Sequence, residues 1–551
     1  MTPEILDLLF PNPLPSVDEI LAKYPPRQLP EGAVVSRLAP SPTGYLHIGN
    51  FYQGFMAERL AHQHNGVFFL RVEDTDQKRK VEGAVEVVLG ALAHYGIHPD
   101  EGRTLSGDEK GAYAPYTQSE RKDIYQAFAK ELVKKGLAYP CFCTPDEIDM
   151  VRKIQTKQGL RPGYYGHYAK CRHLTDEEIL SNLKEGKPFC IRLRSNGDYS
   201  KRIVVEDLLK GKVSLPEYDI DVVIIKANDG LPTYHFAHLI DDHLMHTTHV
   251  VRGEEWLSSL PLHIQLFHMM GWQPPKYAHH ALLQKLGEDG KRRKISKRLD
   301  PEANIAYFAE HGYPQDAVLE YLLNLMNASF EDWRKQKPDV PVLDFPMDIH
   351  KISNTAGALF DMVKLNSIAR EVVARMNAEQ VYDKVLTWAK EYKPDFATLL
   401  ENNREKCIAI FNIERGIGAK SRKDLFKWED AEKETAFFFN RPVYDETLLA
   451  PLSQEDIQKV AADFAPLYDP EDDNQAWFAK VKQVAEQNGF ATDMKAYKAN
   501  PEAFPGSVSD VAEMLRVAMT GLTNTPDLCT IMQILGAERT IARLDKALAS
   551  L

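Results

Sequence analysis

The sequence has few cysteines, no long apolar run and no excess of positive charge. Six cysteines among 551 residues do not make the disulfide framework of a small secreted domain, and we expect them to be reduced. No apolar stretch approaches the roughly 18 residues that a membrane-spanning helix needs. The N-terminus has no basic segment leading into an apolar one. We therefore expect a cytoplasmic protein without a membrane segment.

The composition is that of a globular protein with several domains. Hydrophobic residues make up 44% and charged residues 26% of the chain, which excludes a disordered or fibrous protein. The length predicts roughly three to five domains. A net charge of −12 argues against a general nucleic-acid binder, although residues 285–298 contain seven lysines and arginines.

The first half of the chain has the pattern of a parallel α/β sheet. Apolar segments at 33–38 and 68–72 predict strands, and the periodic segments 50–65 and 81–95 predict helices. This strand–loop–helix–strand–helix order is typical of a doubly wound nucleotide-binding domain. From about residue 355 onward the pattern is almost wholly helical, which suggests that the two halves have separate tasks.

Residues 37–50 carry the first chemical motif, Arg-Leu-Ala-Pro-Ser-Pro-Thr-Gly-Tyr-Leu-His-Ile-Gly-Asn. It follows a predicted strand and leads into a predicted helix, whose N-terminus attracts phosphate through free N–H groups and the helix dipole. His47 can donate to a phosphate oxygen, and Gly49 lets a flat base approach the backbone. Taken alone, this motif also fits an ordinary strand–helix turn.

The second motif is Lys-Ile-Ser-Lys-Arg at residues 294–298, preceded by Gly287 and Gly290. Lysines in a glycine-containing loop can close on a triphosphate and stabilise the charge that develops on the leaving pyrophosphate. Taken alone, a basic run also fits a solvated surface.

Together the two motifs resemble those of the class I aminoacyl-tRNA synthetases. Further segments, in order and at compatible spacings over residues 33–551, resemble the bacterial-type glutamyl-tRNA synthetases. They are Arg71-Val-Glu-Asp-Thr-Asp76, Gln118-Ser-Glu-Arg121, Pro232-Thr-Tyr-His-Phe-Ala237, Asp241-Asp-His243, Arg252-Gly-Glu-Glu-Trp256, Arg516-Val-Ala-Met-Thr-Gly521 and Leu535-Gly536. Two positions depart from the pattern: Asn50 stands where the class has a second His, and His238 where some family members have Asn.

The resemblance implies a glutamate–tRNA ligase that works in two steps. L-glutamate would react with ATP, bound with Mg²⁺, to give glutamyl-adenylate and pyrophosphate. The 3′ end of tRNA(Glu) would then take the glutamyl group and release AMP. The implied catalytic residues are His47, Lys294 and Lys297. The implied ATP-binding residues are His47, Gly49, Glu255, Lys294, Ser296, Lys297 and Arg298.

The chemistry of glutamate fits a second set of residues. Guanidinium groups offer paired donors to the two carboxylates, and a carboxylate suits the ammonium group. The resemblance assigns Arg37 and Arg252 to the carboxylates, Tyr234 as a neutral donor and Glu73 to the ammonium. The implied glutamate-binding residues are Arg37, Ala39, Ser41, Glu73, Tyr234, His238 and Arg252. Without the resemblance, Glu73 and Asp76 would fit surface ion pairs.

A cysteine cluster indicates a metal site. Cys141, Cys143, Cys171 and His173 offer four ligands, enough for a closed tetrahedral Zn²⁺ site, and some bacterial members of the family carry zinc in this insertion. Two alternatives stay open: cysteines that have lost their metal, and Tyr168 as the fourth ligand. The other cysteines are expected to be small core residues: Cys190, Cys407 and Cys529.

The expected fold is a Rossmann-type class I synthetase catalytic domain with an inserted acceptor-binding domain, followed by an all-helical anticodon-binding half. The expected boundaries are an N-terminal extension at 1–30, the first catalytic half at 31–125, the insertion with the zinc site at 126–220, the second catalytic half at 221–285, the basic loop and stem-contact region at 286–370, and the anticodon-binding region at 371–551.

Several alternatives differ in substrate or activity. A non-discriminating enzyme would also charge tRNA(Gln), and a glutaminyl-tRNA synthetase would normally have a β-structured C-terminal half. A tRNA-modifying glutamyl transferase would lack the C-terminal half, and a noncatalytic RNA-binding paralogue would not need the intact motifs. The family implies a monomer.

Overall fold

The structure is a computed structural model that describes residues 1–352, 358–415, 422–444 and 453–547. The chain divides into two compact units. Unit 1 comprises Met1–Tyr307 and Leu319–Asp361, and unit 2 comprises Phe308–Val318 and Met362–Leu551. Within the described ranges, no helix is both long and apolar enough to cross a membrane.

The described strands all lie in unit 1, and we number them in chain order. They are β1 (Val35–Leu38), β2 (Val67–Leu70), β3 (Glu101–Arg103), β4 (Glu109–Lys110), β5 (Ala138–Cys141), β6 (Cys190–Leu193), β7 (Arg202–Asp207), β8 (Gly211–Pro216), β9 (Val223–Ile225), β10 (His249–Gly253), β11 (Lys276–His280), β12 (Leu283–Leu286), β13 (Arg292–Lys294) and β14 (Ala358–Leu359).

The central sheet is mainly parallel. Strands β1, β2 and β3 pair in parallel, as do β10 and β11. Thr248 joins the two groups: its N–H donates to the Val35 carbonyl at 3.0 Å, and its Oγ1 accepts from the Val35 N–H at 2.8 Å. The strand order is therefore β3–β2–β1–β10–β11. The helix Ile48–His62 connects β1 to β2, so the order predicted for residues 33–95 is confirmed.

A separate antiparallel sheet contains β5, β6 and β9. The hairpin β7–β8 joins the central sheet through β11 instead. Strand pairing thus crosses the boundary expected at residue 220: β7 and β8 precede it but pair with the central sheet, whereas β9 follows it but pairs with the inserted strands.

The N-terminal 30 residues are part of the unit 1 core. The sequence predicts only an extension here, but these residues form two short helices whose apolar residues are buried in the main hydrophobic cluster, among them Ile5, Leu9 and Ile20. Arg27 donates to both carboxylate oxygens of Glu101, at 2.7 and 2.8 Å. This segment therefore packs against the central sheet and is tied to β3.

The helices of unit 1 cover the sheets. They are Pro3–Leu9, Val17–Lys23, Ile48–His62, Ala84–His94, Lys122–Lys134, Pro145–Lys157, Asp176–Lys184, Tyr234–Leu244, Leu260–Met269 and Phe330–Gln336. Two helices, Ala306–Glu310 and Gln315–Met326, run across the unit boundary.

Unit 2 is helical throughout its described residues, as the sequence pattern predicts. Its helices are Met362–Ala374, Ala378–Tyr392, Pro394–Asn402, Arg404–Asn412, Asp430–Phe439, Gln454–Phe464, Asn474–Gln487, Met494–Ala499, Val508–Thr520, Leu528–Leu535 and Ala537–Asp545. Cys407 and Cys529 are buried in its two apolar cores, which confirms that they are core residues.

Candidate active site and cysteine cluster

A network of buried charges joins β1, the segment after β2 and the helix that follows β9. Arg37 donates to the two carboxylate oxygens of Asp242 at 3.2 and 3.4 Å. Arg71 donates to Asp242 at 2.7 Å and to Glu73 at 2.9 Å. Although burial opposes it, Arg37 and Arg71 hold the pKa of Asp242 well below its usual range. Burial raises the pKa of Glu73, and both arginines oppose this rise.

Motifs that are far apart in the sequence interlock around this network. Asp241 accepts from Gln118 at 2.9 Å and from Arg121 at 2.7 Å. Asp74 accepts from the Ser119 N–H at 2.8 Å. The buried residues of segments 71–76, 118–121 and 241–243 are therefore parts of one polar assembly.

Arg252 is a buried cation without a carboxylate partner among the described residues. Its side chain lies at the C-terminal end of β10 and is 2% exposed. Its Nε donates to His279 Nε2 at 2.9 Å, and its Nη1 lies 3.0 Å from His263 Nδ1. Its Nη2 has no hydrogen-bond partner in the described ranges. Within the described ranges, Arg252 thus has a positive charge that no carboxylate compensates and an NH2 group without a hydrogen-bond partner.

Tyr234 lies between these buried groups and an open cavity. Its ring lies 4.9 Å from the ring of His238 and 4.4 Å from that of Trp256, centre to centre. Burial lowers the pKa of His238 to about 3, so this imidazole is neutral. Its Nδ1 donates to the Tyr234 carbonyl at 3.0 Å. Tyr234, Glu73 and Ser41 also line a cavity of about 430 Å³.

The first motif places His47 at the start of a helix. His47 is the N-cap of the helix Ile48–His62, and its Nδ1 accepts the Gly49 N–H at 3.0 Å. The neutral ring therefore carries its proton on Nε2. Burial, followed by the charges of Lys297 and Lys294, lowers the pKa of His47 to about 4. A hydrogen bond with the backbone of Ile295, in the second motif, acts to raise the pKa of this ring.

Gly49 lies close to the ring of His47. A Cβ at this position would lie 3.1 Å from Nδ1 of His47. The missing side chain therefore leaves room for the imidazole ring of the same motif, and the approach of a nucleotide base to Gly49 stays a prediction.

The second motif follows the β12–β13 hairpin and presents its cations on the surface. Lys294 and Lys297 are exposed, as is Arg298. Lys294 Nζ lies 3.8 Å from a carboxylate oxygen of Glu255, and Lys297 Nζ lies 4.5 Å from the ring centre of Tyr45. Since Tyr45 belongs to the first motif, the structure brings the two motifs together.

One part of the basic run is structural. Arg293 donates to both carboxylate oxygens of Asp300, at 2.6 and 2.7 Å, and lowers the pKa of Asp300 to about 2. Asp300 also accepts the N–H of Ser296 at 2.8 Å. These bonds hold the turn that carries Lys297.

The remaining candidate site residues differ in how far they are exposed to solvent. Ala39 is half-buried directly after β1, and Ser41 is exposed. Asp76 is exposed and pairs with Arg79 at 2.6 Å, so the surface ion-pair interpretation describes Asp76, whereas Glu73 is buried.

The structure brings three of the four predicted metal ligands together. The sulfur atoms of Cys141, Cys143 and Cys171 lie within 4.8 Å of one another, and His173 is not part of this group. The hydroxyl of Tyr164 lies 3.5 Å from Cys141 Sγ and 3.2 Å from Cys143 Sγ. The chain turns back at the 3₁₀ helix Lys170–His173, which places Cys171 beside β5.

The structure also changes the expectations for two residues near this cluster, Tyr168 and Cys190. The Tyr168 hydroxyl donates to Gln158 at 2.6 Å on the surface, away from the sulfur atoms. Cys190 is half-buried directly opposite Cys141 in the β5–β6 pair, so it borders the cluster.

Sequence reasoning missed several residues that hold the site together, among them Asp207, His263 and His279. Asp207 follows Glu206, His279 precedes His280 and His263 stands in an apolar segment, so these residues share no local pattern that marks them. For Tyr164 the only signal is its place in a tyrosine- and glycine-rich segment near Cys171.

Comparisons with known proteins show the family of this chain. The family model of the class I tRNA synthetase catalytic domain (E and Q) matches residues 33–334, and an anticodon binding domain model matches residues 420–548. The glutamate–tRNA ligase of Clostridium perfringens (strain SM101) is 47% identical over 550 residues, and that of Acetivibrio thermocellus is 44% identical over 550 residues. Each alignment covers 99% of both chains.

A solved structure has the same fold. The glutamate tRNA ligase of Elizabethkingia meningosepticum, in complex with its amino acid, matches with a TM-score of 0.73 and 29% identity. The match covers 94% of this chain and 99% of that one. The chain therefore belongs to the glutamate–tRNA ligases, a family of class I aminoacyl-tRNA synthetases.

Proposed function

We propose that this chain activates L-glutamate with ATP and transfers it to tRNA(Glu), and that Arg252 is the principal ligand of a glutamate carboxylate. The observation that carries the proposal is the buried guanidinium group of Arg252, which has no carboxylate partner and an Nη2 without a hydrogen bond among the described residues. A buried charge without a partner is costly, and an incoming carboxylate would relieve that cost.

The two candidate arginines have different roles in this proposal. Arg37 already shares Asp242 with Arg71, so its charge is largely compensated. Within the described ranges, Arg252 is hydrogen-bonded to two neutral imidazoles, and its guanidinium carbon lies 4.8 Å from the ring centre of Tyr277. None of these groups carries a negative charge, so Arg252 would bind the carboxylate more strongly. Glu73, which borders the open cavity, would accept the ammonium group of the substrate.

The ATP phosphates would bind near the two motifs. Neutral His47 can donate from Nε2, with a phosphate oxygen replacing the backbone of Ile295 as the acceptor. Lys294 and Lys297 supply positive charge from the adjacent loop, and ATP would bind as its complex with Mg²⁺. Such charges stabilise the transition state when they are positioned before the reaction.

The reaction needs no protein nucleophile. In the first step a glutamate α-carboxylate oxygen attacks the α-phosphorus of ATP, and the bond from this phosphorus to pyrophosphate breaks. In the second step a terminal ribose hydroxyl of the tRNA attacks the carbonyl carbon, loses its proton and displaces AMP. Positioning and charge stabilisation would carry both steps.

We further propose a structural zinc site. In a tetrahedral site with Zn–S bonds of about 2.3 Å, neighbouring sulfur atoms lie roughly 3.8 Å apart. The Cys143–Cys171 sulfur distance of 3.5 Å fits this geometry. Cys141 would be the third thiolate ligand, and the Tyr164 hydroxyl is placed to be the fourth ligand. When bound, zinc would cross-link β5 to the 3₁₀ helix at Cys171.

Elemental analysis of freshly purified protein tests the zinc proposal. We expect about one zinc per chain, since a closed site uses four protein ligands, and loss of the metal in Cys143→Ser. Tyr164→Phe should weaken zinc retention against a chelator, while His173→Ala should not. The reverse result for the last two variants would favour His173 as the fourth ligand, and no zinc in the wild-type protein would refute the site.

The tRNA would contact several regions of the chain. We propose that the insertion at 126–220 holds the acceptor end, that residues 286–370 contact the stem and that residues 371–551 read the anticodon. The match of residues 420–548 to an anticodon binding domain supports the last assignment. A monomeric state and a cytoplasmic location complete the proposal.

Aminoacylation with purified tRNAs tests the function directly. We expect glutamate to be attached to tRNA(Glu), and attachment to tRNA(Gln) as well would identify a non-discriminating enzyme. Arg252→Ala should raise the KM for glutamate, because losing a desolvated charge pair costs roughly 2–5 kcal/mol. Arg202→Ala, an exposed arginine on the same sheet, is the matched control and should leave this KM unchanged.

A further inference from the structure

A buried chain of polar groups leads from Asp207 to Arg252. His279 Nδ1 lies 2.6 Å from a carboxylate oxygen of Asp207, and His279 Nε2 lies 2.9 Å from Arg252 Nε. Asp207 is 2% exposed, and His279 is fully buried. Arg252 and His279 are direct partners in the parallel β10–β11 pair, so the sheet itself places their side chains next to each other.

The hydrogen bonds determine which ring nitrogen of His279 carries the proton. A guanidinium N–H can only donate, so Nε2 of His279 must be the acceptor. The proton is therefore on Nδ1, from which it is donated to Asp207. The same reasoning makes His263 Nδ1 an acceptor of Arg252 Nη1 at 3.0 Å. Two neutral imidazoles thus orient Arg252 without neutralising it.

Asp207 is itself held by the backbone. One of its oxygens accepts the N–H groups of Leu209 and Lys210, each at 2.9 Å. The other oxygen faces the His279 ring. The backbone N–H of His279 also donates to Asp207, at 3.3 Å from the first oxygen and 3.2 Å from the second. Together these bonds fix the orientation of the carboxylate, which in turn orients the His279 ring beside the guanidinium.

We propose that Asp207 and His279 are positioning residues that orient Arg252 so that its unpaired Nη2 meets a glutamate carboxylate. This inference rests on the proposed role of Arg252. Asp207 and His279 would thus contribute to the recognition of glutamate without touching glutamate or ATP.

We call the hydrogen-bonded chain from Asp207 through His279 to Arg252 the relay. Asp207→Asn tests the relay because it changes the tautomer of His279. The amide oxygen would stay toward the N–H groups of Leu209 and Lys210, so the amide nitrogen would face His279 Nδ1. That nitrogen donates, and the ring proton would move to Nε2, where it opposes the Arg252 N–H. We expect the KM for glutamate to rise roughly 10- to 100-fold, the loss of one hydrogen bond to a charged group. The kcat and the KM for ATP should change much less.

A double-mutant cycle separates the relay from the proposed function. If Asp207 acts through Arg252, then Asp207→Asn adds no further rise of the glutamate KM to Arg252→Ala. An unchanged glutamate KM in folded Asp207→Asn, or an additive effect, would overturn the relay while Arg252→Ala still raises the KM. An unchanged KM in Arg252→Ala would instead overturn the proposed glutamate site, and the relay with it.

A second pair of variants keeps the test decisive if Asp207→Asn does not fold. His279→Gln retains an acceptor for Arg252, whereas His279→Ala does not, so the glutamate KM should rise less in the glutamine variant. Equal values in the two variants would overturn the relay. Asp100→Asn is the matched control, because Asp100 also joins a histidine, His62 at 2.9 Å, to a backbone N–H outside the site. It should leave the glutamate KM unchanged.

Discussion

Replacing Asp242 with asparagine removes a charge that two buried guanidinium groups share. Asp242 is 1% exposed and accepts hydrogen bonds from Arg71 at 2.7 Å and from Arg37 at 3.2 Å. Asparagine has nearly the same shape but no charge, so the variant would bury an excess of positive charge. Breaking a buried ion pair on one side costs about 3–5 kcal/mol, and we expect unit 1 to lose that much stability.

Thr247→Val is the matched control. The Thr247 hydroxyl donates, at 3.3 Å, to the Asp242 oxygen that also accepts from Arg71 and Arg37. Removing the hydroxyl takes away one hydrogen bond from a neutral donor and leaves the negative charge of Asp242 in place. This loss should cost about 1 kcal/mol. The difference between the two variants therefore measures the charge of Asp242 separately from its hydrogen bonding.

The dependence on pH gives a second criterion. Because Arg37 and Arg71 hold the pKa of Asp242 below its unfolded value of about 4, the stabilisation is fully present above pH 4. It is lost as the pH falls through the lower pKa of the folded state. The stability difference between wild type and Asp242→Asn should therefore be constant at neutral pH and shrink in acid.

Hydrogen exchange in increasing urea measures this stability for unit 1 alone, through the peptides that contain β1 and residues 71–73. We expect the free energy of opening to fall by about 3–5 kcal/mol in Asp242→Asn. A loss no greater than that of Thr247→Val would refute the reasoning, because it would show that the carboxylate charge is not needed between the two arginines.

Three further predictions concern other parts of unit 1. Lys297→Ala should slow adenylate formation roughly 10²- to 10³-fold while equilibrium dialysis shows normal glutamate binding; near-normal charging would contradict its role. Gly49→Ala should lower kcat/KM for ATP roughly 10- to 100-fold in pyrophosphate exchange, because its Cβ displaces the His47 ring; an unchanged value would mean that the ring has room. Hydrogen bonds with the carboxylates of Asp100 and Glu58 raise the pKa of His62 to about 9. Its stabilisation, roughly 1–3 kcal/mol, is therefore present below pH 6.5 and lost as the pH rises through 9, so urea unfolding of His62→Gln should differ from wild type at pH 6 but not at pH 10.

Local patterns predicted the elements that frame the site. The apolar segment before Arg37 became β1, and the periodic segment after His47 became the helix Ile48–His62. β1 is buried at every position and the helix is buried on most of its sides, so apolar content and segment length, rather than an amphipathic pattern, predicted these elements.

The cysteine-bearing segment contains local signals that periodicity alone did not reveal. The helices Pro145–Lys157 and Asp176–Lys184 begin at capping boxes, in which Thr144 pairs with Glu147 and Thr175 with Glu178. A threonine followed three residues later by a glutamate marks such a helix start, so both helices could have been predicted from the sequence.

Residue types and motif order, read from the sequence alone, identified the family and its chemistry, together with Arg37, Glu73 and Arg252 as substrate ligands to be tested. Tertiary structure decided which of these charges are compensated. Asp242 lies about 200 residues after Arg37 and neutralises it, whereas the neighbours of Arg252 are neutral imidazoles. A charge interacts over a few ångströms of space, and only the packing of strands and helices determines which groups meet at that distance.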